Sequence, residues 1–174
     1  GIRELFGAKH CSPAAAAIRA TQCRRDLIAV IGIMEPPPKR NYLVINRQRK
    51  HAIDGARLRQ FLSNLLSVLG IEAAVFSVVF VTDGVIRRYN RDYRGFDKPT
   101  DVLSFRGDDG YLGDILISSE TAYNQARKSR TLGFETNIRR LAVHGLLHLM
   151  GFDHETDNGE MRTFERRLRR RFQC

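Results

Sequence analysis

Residues 134–154, which read FETNIRRLAVHGLLHLMGFDH, predict the central helix around which the chain is organised. Apolar side chains recur at helical spacing through most of the segment, and Gly151 supplies the left-handed turn that ends a helix. His144 and His148 are four residues apart, so both imidazoles leave the same face of this helix. The reversal at Gly151 can bring His154 toward them. The segment therefore predicts a metal site at the end of a central helix.

The segments on either side alternate between strand and helix patterns. Asp54 precedes a helical pattern that Gly70 ends, and Asp83 is expected to cap the next helix. Residues 157–160 resemble a capping box before a last helix. The resulting order, βαβαββααα, predicts an α+β domain with about five helices. The expected strands are Tyr42–Asn46, Val75–Val81, Thr100–Phe105 and Leu112–Ile117.

The composition indicates a folded domain with a polyanionic partner. The 174 residues include 43% hydrophobic and 28% charged residues, which is enough for a full core. No apolar run approaches the roughly 18 residues that span a bilayer, which excludes an integral membrane protein. Lys and Arg outnumber Asp and Glu by 29 to 19, and this net charge of +10 favours a nucleic acid. The three cysteines form no CxxC pair, so a reducing, cytoplasmic location is expected.

The triple proline at residues 36–38 marks the expected start of the folded domain. Residues 1–38 contain an Ala-rich stretch, basic residues and one short hydrophobic piece. We predict that residues 1–38 are an N-terminal extension of unknown role and that residues 39–174 form the domain.

The histidine cluster has the composition of a metal site. Three of the chain's five histidines fall at positions i, i+4 and i+10, which is unusual for isolated core or surface histidines. Three neutral imidazoles with a fourth position open form a catalytic zinc arrangement, and nitrogen ligands favour zinc over magnesium or calcium. Zinc peptidases share this spacing, but they carry a glutamate general base where this chain has Gly145. We expect one zinc ion per chain, with a peptidase-like hydrolase as a weaker alternative.

Three motifs identify a family resemblance. Residues 90–105 read NRDYRGFDKPTDVLSF, residues 112–115 read LGDI, and HGLLHLMGFDH follows at residues 144–154. Together they resemble the YbeY family, the metal-dependent endoribonucleases of ribosomal RNA maturation, over roughly residues 40–172. The chain departs from the family pattern at Arg106, where the family usually has proline.

The resemblance implies a small mixed four-stranded sheet packed with helices. It implies zinc bound by His144, His148 and His154. It also implies a functional arginine in the YR motif, which is Arg94, and a structural or partner-binding role for Asp114. The implied activity is a single-strand-specific endoribonuclease in ribosomal RNA processing and ribosome biogenesis. A non-catalytic ribosome-assembly factor with a metal site is the alternative.

Arg94 and the zinc site offer complementary chemistry for phosphodiester cleavage. Three neutral ligands leave zinc its full charge, which attracts a phosphodiester and lowers the pKa of a bound water toward about 7. Arg94 offers a planar fork of donors for phosphate oxygens, and His144 is expected to be indispensable for cleavage. Attack by water and attack by the ribose 2′-hydroxyl both remain open.

The last predicted helix is strongly basic. We predict that Arg166, Arg167 and Arg170 bind the RNA backbone, without reading its sequence. A ribosomal subunit or ribosome-associated proteins are the expected partners.

Overall fold

The structure, a computed structural model, describes residues 41–108, 110–154 and 157–174. The element order confirms the predicted α+β domain, while the predicted extension, residues 1–38, lies outside the described residues. The strands are β1 (Tyr42–Asn46), β2 (Val75–Val81), β3 (Val102–Arg106) and β4 (Tyr111–Ser118). The helices are α1 (Gly55–Leu69), α2 (Asp83–Arg94), α3 (Ser119–Lys128), α4 (Phe134–Leu149) and α5 (Glu160–Phe172).

The four strands form one mixed sheet in the order β1-β2-β4-β3. β1 and β4 each pair in parallel with β2, and β3 pairs antiparallel with β4 at the edge. The register shifts by one residue between Val75 and Phe76, opposite Gly113 of β4. Gly113 has φ +137, and a Cβ there would lie 2.1 Å from the Phe105 carbonyl oxygen, so only glycine fits this bulge.

Alternating side chains of the sheet enter two separate cores. Phe76, Val78 and Phe80 of β2 belong to the larger core, which α1, α4 and α5 complete. Val79 and Val81 point to the opposite face, where α2 covers a smaller core. The sheet is therefore buried on both faces, and α4 lies against β3 and β4 inside the larger core.

Of the three N-terminal caps predicted above, one is confirmed and two are not. Asp54 caps α1 by accepting from the Ala56 and Arg57 backbone N–H groups, as predicted. The predicted cap of α2 by Asp83 is wrong, because Thr82 occupies the N-cap and the Asp83 carboxylate accepts from the Ser118 and Thr121 hydroxyls. Asp83 therefore ties α2 to the start of α3.

The last helix also begins differently from the prediction. Gly159 is the N-cap of α5, with φ +89 and no side-chain capping bond. Asp157 nevertheless accepts from the Gly159 and Met161 backbone N–H groups, so it stabilises the turn that leads into the helix. Among the described residues, each helix is too short or too polar to cross a bilayer.

Candidate metal centre and cleft

Three histidines converge at the C-terminal end of α4. His144 and His148 lie one helical turn apart, and their Nε2 atoms are 3.1 Å from each other. Gly151 has φ +101, which reverses the chain after the helix and returns His154 to the same place. One ring nitrogen from each of the three residues lies within 4.8 Å of the others. The sequence-predicted ligand set is thus brought together by one helix and one turn.

Hydrogen bonds outside the cluster orient two of the three rings. His144 Nδ1 lies 3.1 Å from Glu165 Oε1 of α5, and His148 Nδ1 lies 3.0 Å from the Phe152 carbonyl oxygen. Both partners are acceptors, so each Nδ1 carries the proton and each Nε2 presents a lone pair. Two lone pairs at this separation repel unless a cation lies between them. The tautomers therefore fit a metal site, with a carboxylate behind His144 and a carbonyl behind His148.

The pKa shift of His148 agrees with a neutral ring at this position. Burial lowers the pKa of His148, and the neighbouring His144 and His154 lower it further, so its imidazole is neutral at pH 7. Burial raises the pKa of the Glu165 carboxyl, but the hydrogen bond from His144 and the nearby Arg169 guanidinium lower it on balance. Glu165 is therefore a carboxylate, and it accepts the hydrogen bond from His144 Nδ1.

The three imidazole nitrogens fit a transition-metal ion with tetrahedral coordination. Zinc–nitrogen bonds of about 2.0–2.1 Å in a tetrahedron place two ligand nitrogens about 3.3 Å apart. The 3.1 Å separation of the His144 and His148 Nε2 atoms is close to that value. Magnesium and calcium prefer oxygen ligands, which this cluster does not contain. The three histidines could therefore hold one metal ion of the zinc type.

The position that would carry a peptidase base is closed by the sheet. A Cβ on Gly145 would lie 2.6 Å from Ile115 Cγ2 of β4 and 3.1 Å from Ser104 Oγ of β3. Ser104 Oγ also donates to the Gly145 carbonyl oxygen, which fixes this close approach of α4 to the sheet. A glutamate at this position would point into the sheet, so the peptidase-like alternative lacks both the residue and the space for it.

The histidines open into a cleft of about 480 Å³. Arg94, at the C-terminus of α2, and Arg106, at the end of β3, both line it. The Arg106 Nε atom lies 3.4 Å from the Leu149 carbonyl oxygen, and its guanidinium packs where a Cβ on Gly151 would be. The cleft lining consists of Arg94, Thr100, Asp101, Val102, Leu103, Ser104, Arg106, His144, His148, Gly151, Phe152, Asp153 and His154.

Asp114 lies outside this cleft. It is buried on β4, with 4% of its surface exposed, and its carboxylate accepts from the Ser77 and Tyr111 hydroxyls. The first contact joins β2 to β4, and the second spans the bulge within β4. The geometry fits the structural part of the role expected for Asp114.

The basic residues predicted to bind RNA are exposed on α5 and do not line the cleft. Arg166 and Arg170 lie one turn apart on the helix surface, and Arg167 lies beside them. Arg169 is different, because it donates to Glu165 at 2.7 Å and so supports the carboxylate behind His144.

Sequence reasoning missed two residues of the site. Glu165 is the one acidic residue in the basic stretch 161–174, and this isolation was a signal that it has a partner. In the sequence Arg106 stands out only as a departure from the family pattern, whereas in the structure it lines the same cleft as the histidines.

Comparisons with known proteins agree with these motifs and this geometry. Residues 43–173 match the family described as Endoribonuclease YbeY. A relative of that name from Geobacter sulfurreducens is 40% identical over 138 residues, covering 74% of this chain and 91% of the relative. Another, from Aquifex aeolicus, is 41% identical over 128 residues, covering 70% and 83%. The solution structure of a Thermotoga maritima protein superposes with a TM-score of 0.55 at 26% identity, covering 75% of this chain and 88% of that one. The chain belongs to the YbeY endoribonuclease family.

Proposed function

We propose that this protein is a zinc-dependent endoribonuclease that cleaves single-stranded RNA in ribosomal RNA maturation, with its catalytic unit in residues 39–174. The observation that carries the proposal is the convergence of three imidazoles in a cleft that two arginines also line. The relatives named Endoribonuclease YbeY support RNA as the substrate.

We assign His144, His148 and His154 as the zinc ligands. Glu165 and the Phe152 carbonyl hold two of these rings with Nε2 toward the shared centre. Zinc bound there would act as a Lewis acid and lower the pKa of a bound water, so no carboxylate base is needed. Gly145 is consistent with this, because the chain has no glutamate at the position where peptidases carry theirs.

Arg94 and Arg106 are assigned to the phosphate. A guanidinium offers parallel N–H donors that match two phosphate oxygens, and it can stabilise the charge that develops there in the transition state. The Leu149 carbonyl oxygen orients the Arg106 guanidinium before substrate arrives, which reduces the entropy lost on binding. Asp114, buried on β4, is assigned a structural role.

The exposed arginines of α5 would extend the RNA contact beyond the cleft, toward a ribosomal subunit. Such contacts are to the backbone, so the logarithm of affinity should fall linearly with the logarithm of salt concentration. Replacing Arg166, Arg167 and Arg170 together by Ala should reduce the salt slope for single-stranded RNA by about 2. Arg57→Ala is the control, because Arg57 already pairs with Asp54 and Glu135. An unchanged slope in the triple variant would remove this assignment.

The central experiment measures bound zinc and single-stranded RNA cleavage on the same preparations of wild type, His144→Ala and Arg94→Ala. His144→Ala should lose zinc and cleavage together, and Arg94→Ala should keep zinc and lose cleavage. His51→Ala is the matched histidine control, because its ring stacks on Tyr123 outside the cleft. Arg91→Ala is the matched arginine control on α2.

Either of two results would reject the proposal. Cleavage that persists unchanged in His144→Ala and Arg94→Ala belongs to a contaminant. Zinc content that is the same in His144→Ala and His51→Ala would mean that the metal binds elsewhere. The fragment ends then define the reaction, since a 2′,3′-cyclic phosphate arises from attack by the ribose 2′-hydroxyl and not by water.

A further inference from the structure

Phe96 is the one large hydrophobic side chain that is exposed among residues 41–108, 110–154 and 157–174. Its exposed fraction is 52%, and it lies two residues after Arg94, just past the end of α2. Such a residue contributes little to the core, so its ring is available to a partner.

The loop that carries Phe96 is held firmly to α2. The Phe96 backbone N–H donates to the Asn90 carbonyl at 3.2 Å, and the Asn90 side chain donates to the Lys98 carbonyl at 2.8 Å. Between them, Asp97 accepts two hydrogen bonds from Arg87, at 2.8 and 2.7 Å. The ring is therefore presented on a pre-ordered loop, which lowers the entropy cost of binding.

Two cationic groups lie over the exposed ring, each about 6 Å from its centre. Arg94 Cζ lies 6.0 Å from the Phe96 ring centroid, and Lys98 Nζ lies 5.8 Å from it. The negative charge of the nearby Asp97 is balanced by its ion pair with Arg87, whose hydrogen bond lowers the pKa of Asp97. An aromatic face between positive charges matches a nucleotide, with its planar base and anionic phosphate. An apolar peptide or a lipid chain would gain nothing from the charges.

The same loop continues into the histidine cleft. Arg94 lines that cleft, and its guanidinium also lies over the Phe96 ring. Thr100, two residues beyond Lys98, lines the cleft as well. A polynucleotide whose phosphate contacts Arg94 therefore has a neighbouring base within reach of Phe96.

We propose that the Phe96 ring is a stacking platform for an unpaired base of single-stranded RNA, next to the phosphate held by Arg94. This inference rests on the proposed function and identifies how that site selects its substrate. A paired base already stacks on its neighbours and cannot offer a free face, so the platform favours single strands. Because every base has a π face, the preference should be nearly independent of sequence.

The first test compares Phe96→Leu, which stays apolar, with Phe96→Tyr, which stays aromatic. The probes are a 2′-O-methyl oligoribonucleotide, checked to be intact after the titration, and polyphosphate, which has the charge but no bases. We expect Phe96→Leu to bind the oligonucleotide about 5- to 150-fold more weakly, with Phe96→Tyr close to wild type. Polyphosphate binding and zinc content should be unchanged in both variants. In cleavage assays KM should rise while kcat stays near wild type.

The second test uses fluorescence, since the chain has no tryptophan. Phe96→Trp places a single indole on the loop, and stacking of a base should quench its emission with the oligonucleotide but not with polyphosphate. Equal oligonucleotide affinity in wild type and Phe96→Leu, or no quenching, overturns the platform. Oligonucleotide binding that depends on Phe96 in a wild-type protein that cleaves no RNA would instead support the platform and reject the proposed nuclease.

Discussion

Replacing Glu165 with Gln should weaken zinc binding about 10- to 100-fold, which corresponds to about 1.4–2.8 kcal/mol. The carboxylate accepts from His144 Nδ1 at 3.1 Å and from Arg169 at 2.7 Å. Its side chain is only 12% exposed, so water screens the interaction little. Gln keeps the size and one acceptor oxygen but removes the negative charge that increases the basicity of His144. The measurement is a competition titration against a chromogenic zinc chelator.

A matched variant and a rescue make this prediction specific. Glu160→Gln removes the same charge from an exposed position on α5 and should leave zinc affinity within about twofold of wild type. Excess zinc should restore RNA cleavage by Glu165→Gln, because the defect is in occupancy. A Glu165→Gln affinity equal to that of Glu160→Gln would refute the reasoning from the hydrogen bond.

Three further perturbations test the scaffold. Gly145→Ala should lower the free energy of unfolding, because overpacking against β4 costs about 1–3 kcal/mol while the higher helix propensity of Ala stabilises α4 by about 1 kcal/mol. Urea unfolding of wild type and the variant measures the difference. Gly151→Ala and Gly159→Ala should each lower the free energy of unfolding by about 1–3 kcal/mol, because both place alanine at a positive φ. Only the added Cβ at position 151 would displace Arg106 of the cleft, so only Gly151→Ala should also raise KM for RNA. Hydrogen bonds from Lys50 and from the Asp83 backbone N–H lower the pKa of Glu120 from its ordinary 4.5. The Lys50–Glu120 ion pair therefore stabilises the fold above pH 4.5, and this contribution is lost as the pH falls through the lowered pKa. The stability difference between wild type and Glu120→Gln should therefore be larger at pH 7 than at pH 3, whereas a difference that is constant with pH would contradict the assignment.

Local patterns predicted most of the fold. The helix α1 buries the apolar face that the sequence pattern predicts, and Gly70 ends the helix with φ +68 as expected. The buried residues of this face are Leu58, Phe61, Leu62, Leu65, Leu66 and Leu69. The wrong cap of α2 shows the limit of such patterns. Asp83 is used by Ser118 and Thr121, which are more than 30 residues away, and no local signal distinguishes this contact from an N-cap.

The candidate site likewise contains residues that local spacing predicts and residues that only tertiary packing brings to it. The i, i+4 spacing of His144 and His148 and the glycine at 151 are local, so the sequence predicted the three histidines that the structure brings together. Glu165 reaches His144 across the packing of α4 and α5, a tertiary contact that spacing alone does not encode. The proximity of Arg106 to the histidines likewise depends on how β3 lies against the end of α4.

The close approach of α4 to the sheet at Gly145 limits how this site can evolve. A point mutation that replaces Gly145, beside His144, with an acidic residue would separate the helix from the sheet before the carboxylate could act as a base. A change of reaction class would therefore require a wider spacing between the helix and the two strands beneath it. The scaffold thus excludes an acidic side chain from position 145, and selection can change the cleft arginines without altering the three histidines.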